Sequence, residues 1–187
     1  MNEFDKIIVM GGSAGALDAM SEVVSDLPEN FPYPILAVIH LPPDKKSLIA
    51  DLLNDKSHIK VREALDKEEI KAGCMYFAPS DYHMLAEHDM SVSFSIEEPV
   101  LYSRPSIDVL FETAADSFAD KCIGILLTGA NSDGAKGLKS IHENGGIAIV
   151  QDPNTAYADA MPASALKLVP KAKKMSLSEI NSCLKSL

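Results

Sequence analysis

Ser13 stands in the run Gly11-Gly12-Ser13-Ala14-Gly15, directly after the apolar stretch Ile7-Ile8-Val9-Met10. A buried strand that ends in glycines, presents a serine and leads into an amphipathic helix has the layout of a nucleophile elbow, G-x-S-x-G. Gly11 and Gly15 permit the tight turn and a close approach of helix to strand. Amide groups at the helix N-terminus then lie near the hydroxyl and favour negative charge that forms beside it. The same layout serves dinucleotide binding, but that fingerprint wants a glycine where Ser13 stands and an acidic residue after the second strand. The second predicted strand, residues 35–39, ends in His40, and no Gly-Lys-Ser/Thr occurs, which excludes a P-loop. A serine that only caps the helix fits the motif equally well.

A serine hydroxyl attacks a carbonyl when a base takes its proton. A neutral imidazole does this if a carboxylate holds it in one tautomer and stabilises the imidazolium. His40 follows the second predicted strand. Asp133 lies in Thr128-Gly129-Ala130-Asn131-Ser132-Asp133-Gly134, just past the predicted strand 123–127. All three residue types therefore fall beyond the carboxyl ends of strands, where open α/β sheets bind ligands. Their order along the chain differs from the known triads, but a triad is defined by geometry and not by order. Taken alone, Asp133 reads as the N-cap of the helix that follows, and His40 as a loop residue bonded to a carbonyl. His83 and His88 lack a third ligand, so the expectation is no metal and no cofactor.

The elements that must position these residues alternate. Strands are predicted over 7–10, 35–39, 75–78, 123–127 and 147–150, with an antiparallel hairpin over 83–87 and 91–96. Helices are predicted over about 17–27 (stopped by Pro28), 47–53 after Pro42-Pro43, 107–118, 135–144, 162–168 and 176–187. Such alternation implies a doubly wound, mainly parallel α/β sheet with helices on both faces, plus the hairpin. The 187 residues suit a single domain with a sizeable core. The net charge of −10 argues against nucleic acid or an anionic membrane as partner. The short cluster Lys171, Lys173, Lys174 reads as solvated surface. Cys74, Cys122 and Cys183 show no C-x-x-C spacing, so neither a disulfide framework nor a zinc site is expected. No signal peptide or membrane span is recognisable, and the expected location is cytoplasmic.

Several segments together resemble one family. They are 8–15 (Ile-Val-Met-Gly-Gly-Ser-Ala-Gly), 38–42 (Val-Ile-His-Leu-Pro), 72–79 (Ala-Gly-Cys-Met-Tyr-Phe-Ala-Pro) and 81–84 (Asp-Tyr-His-Met). Further on come 104–111 (Arg-Pro-Ser-Ile-Asp-Val-Leu-Phe), 127–129 with 133–135, 151–153 and 160–162. Over nearly its whole length the chain resembles the catalytic domain of the chemotaxis protein-glutamate methylesterases (CheB-type). The resemblance implies a Ser-His-Asp hydrolase that removes methyl groups from glutamyl esters on the cytoplasmic helices of chemoreceptors and also deamidates glutamines. It assigns the nucleophile to Ser13, the base to His40 and the orienting acid to Asp133. It implies a single catalytic domain over 1–187 without the family's receiver domain, so the regulator is left unnamed. Ala14 and Ala16 stand where the family has threonine and glycine, and the 128–134 loop differs in its middle. An oxyanion hole from the amides of Ala14 and Ala130 needs no particular side chain. Arg104, just ahead of a helix, is a candidate to pair with a receptor carboxylate. The competing reading is an internal salt bridge to Asp108 or Glu112. The same chemistry on another ester or amide, and a non-catalytic binding domain that keeps the fold, are the alternative functions.

Overall fold

The structure, a computed structural model, describes residues 4–40 and 49–187. In chain order the strands are β1 (Ile7–Gly12), β2 (Ile35–Ile39), β3 (Lys60–Glu63), β4 (Cys74–Phe77), β5 (His83–Ala86), β6 (Val92–Ser95), β7 (Cys122–Leu126), β8 (Ile147–Gln151) and β9 (Lys173–Met175). The helices are α1 (Ala16–Val24), α2 (Ile49–Asn54), α3 (Ile107–Phe118), α4 (Ala135–Glu143), α5 (Ala160–Leu168) and α6 (Leu177–Lys185). The expected Pro42-Pro43 connection and residues 47–48 of the second predicted helix lie outside the described residues. Seven parallel strands pair in the order β3-β4-β2-β1-β7-β8-β9, and β5-β6 form a separate antiparallel hairpin. The doubly wound, mainly parallel sheet with its hairpin is thus the architecture found.

Successive strand residues face opposite sides of a sheet, and both sides are apolar here. Ile7 and Val9 of β1, with Leu36 and Val38 of β2, join α3, α4 and α5 in one core. Ile8 and Met10, with Ile35, Ala37 and Ile39, join α1, α2 and α6 in the other. The winding reverses between β1 and β7: β2 and β4 lie to one side of β1, β7 and β8 to the other. A crevice opens beyond the carboxyl ends of strands at such a reversal.

Two edge strands escape sequence reading. β3 (Lys-Val-Arg-Glu) and β9 (Lys-Lys-Met) are short and charged, which is how exposed sheet edges avoid pairing with other chains. Lys173 and Lys174 are strand residues and are also solvent-exposed, as expected of the cluster, and Lys174 Nζ lies 3.4 Å from Asp152 Oδ2. α1 ends at Val24, earlier than Pro28 alone would require. The Ser25 hydroxyl donates to Glu22 O at 2.7 Å, and Asp26 turns left-handed with φ 56.

α3 and α4 approach through Gly137. A Cβ there would sit 2.5 Å from Phe111 Cβ and 2.9 Å from the carbonyl oxygen of Asp108. Alanine is the better helix former by about 1 kcal/mol, but overpacking against a carbonyl and a Cβ costs about 1–3 kcal/mol. Gly137→Ala is therefore expected to lower stability in urea denaturation. A stabilised variant would show that the two helices part freely.

Candidate active site

Strand register brings the three expected residues together. Gly12 pairs with Ile39, so Ser13 and His40 leave the sheet side by side, and His40 N donates to Gly12 O at 3.3 Å. Gly11 pairs with Leu126, so Ser13 emerges next to Thr128 and its N–H donates to Thr128 O at 2.9 Å. The two strand-end glycines admit one helix start from each face. A Cβ at Gly11 would meet Ile107 of α3 at 2.3 Å, and one at Gly12 would meet Ala16 of α1 at 2.6 Å. The close approach of α1 to β1 thus belongs to Gly12, while Gly15 supplies the left-handed residue, φ 78, that turns the chain into α1.

Asp133 is fully buried. It does not cap the helix after it, because Gly134 occupies the N-cap of α4 and makes no side-chain cap bond. Its carboxylate instead faces the N-terminus of α3. Oδ1 accepts from Ser106 Oγ at 2.9 Å, Asp108 N at 3.0 Å and Gly134 N at 3.0 Å. Oδ2 accepts from Ile107 N at 2.7 Å and pairs with His40 Nε2 at 2.8 Å. Burial pushes the carboxyl's pKa up, but the His40 hydrogen bond and the amides of Asp108 and Ile107 outweigh it and hold the pKa below the ordinary value. The group is therefore a carboxylate at neutral pH, and its bond to Nε2 needs the proton there. That leaves the lone pair on Nδ1, the nitrogen free to act as a base.

Two side chains face Nδ1. Ser103 Oγ and Asn131 Nδ2 each lie 3.4 Å away. The Asn131 amide is oriented by its oxygen, which accepts from Asp133 N at 3.0 Å, so its NH₂ points at the imidazole. The Ser13 side chain makes no hydrogen bond to a described residue. The peptide after Ser13 is fixed, since Ser13 O accepts from Ala16 N at 2.9 Å. The Ala14 N–H therefore points the other way, out of the helix start. The peptide after Ala14 is pinned by Thr128 Oγ1, which donates to Ala14 O at 2.9 Å. Gly129 is stitched on both sides, to Ala158 O at 3.0 Å and from Met161 N at 2.9 Å, while the next residue, Ala130, is exposed.

The loop over 96–106 walls the site. His83 is buried and donates from Nε2 to Glu98 O at 3.2 Å, while its Nδ1 accepts from Ser106 N at 3.1 Å. Arg104 makes neither of the expected ion pairs with Asp108 or Glu112. Its Nη1 donates to Ile96 O at 3.0 Å and Glu97 O at 3.2 Å, because the loop's own carbonyls lie nearer than α3. With His40, Asp81 and Ser103, Arg104 lines a cavity of about 190 Å³. Among the described residues no three His, Cys, Asp or Glu side chains converge to hold a metal ion, and no helix is long and apolar enough to cross a membrane.

Ser103, Ser106, Asn131, Thr128 and His83 are the site residues that sequence reading missed. His83, Ser106 and Thr128 carried a signal only as members of the family-like segments 81–84, 104–111 and 127–129. Ser106 is the N-cap of α3 and accepts from Val109 N, but its donation to Asp133 is a tertiary contact.

A family model described as CheB methylesterase matches residues 8–184. A Leptospira interrogans protein named "Putative protein-glutamate methylesterase/protein-glutamine glutaminase" is 50% identical over 92% of this chain and 90% of its own length. The Thermotoga maritima protein-glutamate methylesterase/protein-glutamine glutaminase is 35% identical over 87% of this chain, which spans only 48% of that protein. The crystal structure of the Thermotoga maritima CheB methylesterase catalytic domain superposes with a TM-score of 0.91 at 32% identity, covering 97% of each chain.

Asp108, beside Asp133 at the start of α3, behaves oppositely. Burial, then the charges of Asp133 and Glu112, outweigh the bond from Gly137 N at 2.8 Å and lift its pKa to about 6. A raised carboxyl pKa means stability that is full below the unfolded value, about 4, and lost as pH rises through about 6. The loss is on the order of 3 kcal/mol. Asp108→Asn keeps an oxygen for Gly137 N and cannot ionise. Its stability relative to wild type should rise between pH 4.5 and pH 7.5 in urea titrations, and a pH-independent difference would contradict the assignment.

Proposed function

The chain belongs to the CheB methylesterase family, and from that premise we propose that it hydrolyses γ-methyl esters of glutamate on chemotaxis receptors, with Ser13 as nucleophile, His40 as base and Asp133 as the orienting acid. The observation that carries the reading is the 2.8 Å pairing of His40 Nε2 with the buried Asp133 carboxylate, which leaves Nδ1 as the proton acceptor beside the serine's strand end.

In this mechanism Ser13 Oγ attacks the ester carbonyl as its proton passes to His40 Nδ1. The amides of Ala14 and Ala130 receive the negative oxygen. The imidazolium, stabilised by Asp133 across Nε2, returns the proton to the departing methoxide, and methanol leaves. Water then attacks the acyl-serine as its proton passes to Nδ1, the bond from the carbonyl to Oγ breaks, the imidazolium returns the proton to Ser13 Oγ, and the glutamate is freed. A glutamine side chain passes through the same steps with ammonia leaving. Arg104 has an accessible position in the cavity beside His40, and its role here is to hold the 96–104 loop and face a carboxylate neighbouring the ester.

Ser13→Ala should keep the wild-type melting temperature, since the side chain bonds to nothing among the described residues, and should lower methanol release from methylated receptor membranes by roughly 10³-fold or more. Near-normal turnover would dismiss Ser13 as nucleophile. Asp133→Asn presents an NH₂ group to at least one oxygen position that now accepts hydrogen bonds. It should lose about 10⁴ in rate through the wrong imidazole tautomer and about 1–3 kcal/mol of stability through donors left without an acceptor. Rate assays and denaturant titration check both effects; loss of stability alone would make Asp133 a structural residue.

A further inference from the structure

Residues 100–103 form a tight turn at the mouth of the cavity. Val100 N donates to Ser103 O at 3.1 Å and Ser103 N to Val100 O at 2.8 Å, with Leu101 and Tyr102 between them. Both central residues are left-handed, with φ 47 and φ 65. A two-residue turn of this kind favours Asn-Gly, because bulky side chains at positive φ are strained. Nothing in the packing offsets that strain: Leu101 is 45% exposed and Tyr102 completely so. Strain of this sort is a pointer to function and not to folding.

The inner side of the turn is anchored. Ser103 reaches His40 Nδ1 at 3.4 Å, Arg104 binds the carbonyls of Ile96 and Glu97, and His83 binds that of Glu98. Tyr102 lines the same cavity as His40. At about 190 Å³ this cavity is smaller than the roughly 300–1,000 Å³ of typical small-molecule pockets. Ser13 is not among its lining residues, so the reacting ester sits beside it, over the strand ends, and the cavity and its turn face the polypeptide that flanks the ester. The chain's net charge of −10 gives no long-range attraction to a glutamate-bearing segment, so beside the Arg104 contact, short-range apolar contact is left to hold the substrate.

The geometry points to the Leu101–Tyr102 turn as the specificity-determining element: a rigid apolar prong that grips the polypeptide flanking the esterified glutamate. The inference rests on the methylesterase reading above. A second copy of the chain is the lesser occupant, because anything docked permanently on Tyr102 would cover the cavity that leads to His40.

Replacing the pair by a turn-favouring sequence tests this. The double variant Leu101→Asn, Tyr102→Gly should melt at or above the wild-type temperature and cleave a small ester, N-acetylglutamate γ-methyl ester, at the wild-type rate. On methylated receptor membranes its kcat/KM should fall about tenfold or more, through KM. Tyr102→Asn, also compatible with positive φ, should give the same split and stands in if the double variant fails to fold. Equal losses on both substrates, or none on either, would overturn the inference. So would a dimer-to-monomer change with receptor turnover intact, which would assign the turn to self-association. A wild-type protein that cleaves the small ester but not methylated receptor would instead remove the premise.

Discussion

A buried carboxylate must be surrounded by donors or it will not stay charged, and Asp133 is surrounded by five. Two are main-chain amides at the start of α3, one is the following amide of Gly134, one is the N-cap hydroxyl of Ser106, and one is His40 Nε2. That requirement explains much of the architecture around it. α3 must aim its N-terminus at the loop after β7, so Gly11 has to leave room for Ile107, and Gly134 for the same side chain. Gly137 must let α4 come down on α3. The imidazole is then held from the far side of the sheet reversal by a group whose charge the helix start already compensates.

With Nε2 committed to Asp133, the free lone pair of the imidazole is on Nδ1, the ring nitrogen nearer the main chain. Its position is therefore set largely by the end of β2, whose backbone is tied to Gly12. Ser13 hangs from the neighbouring strand in the same register. Parallel pairing thus brings the backbones of Ser13 and His40 side by side. Ser103 and Asn131 complete the surroundings by donating to the same lone pair, weakly at 3.4 Å, so they orient the ring without competing strongly for it.

What could be read in advance follows from range. Ser13 and His40 were legible because each follows directly on a strand with a clear apolar run, and Asp133 because it lies in the loop after another such strand; strand ends meet in a parallel sheet. The helices over 107–118 and 135–143 were legible from local periodicity. β3 and β9 were not, because an edge strand that protects itself with lysine and arginine looks like surface. The environment of Asp133 was hidden too. Local spacing made it a cap for α4, and only the tertiary crossing of α3 gives it other donors. Arg104 likewise had acidic neighbours in sequence, yet it is the fold of its own loop that supplies its partners.

Most of the atoms that shape charge in this site belong to the main chain: the amides of Ile107, Asp108 and Gly134 around the carboxylate, and the carbonyls that lock Ser13 and the loops. Side chains at positions such as 14 and 130 can therefore vary with little effect on the electrostatic field, provided the glycines that permit the crossings stay. The electrostatic field at the strand ends therefore comes with the topology itself, and the exposed loops around it carry the side chains that can vary without disturbing it.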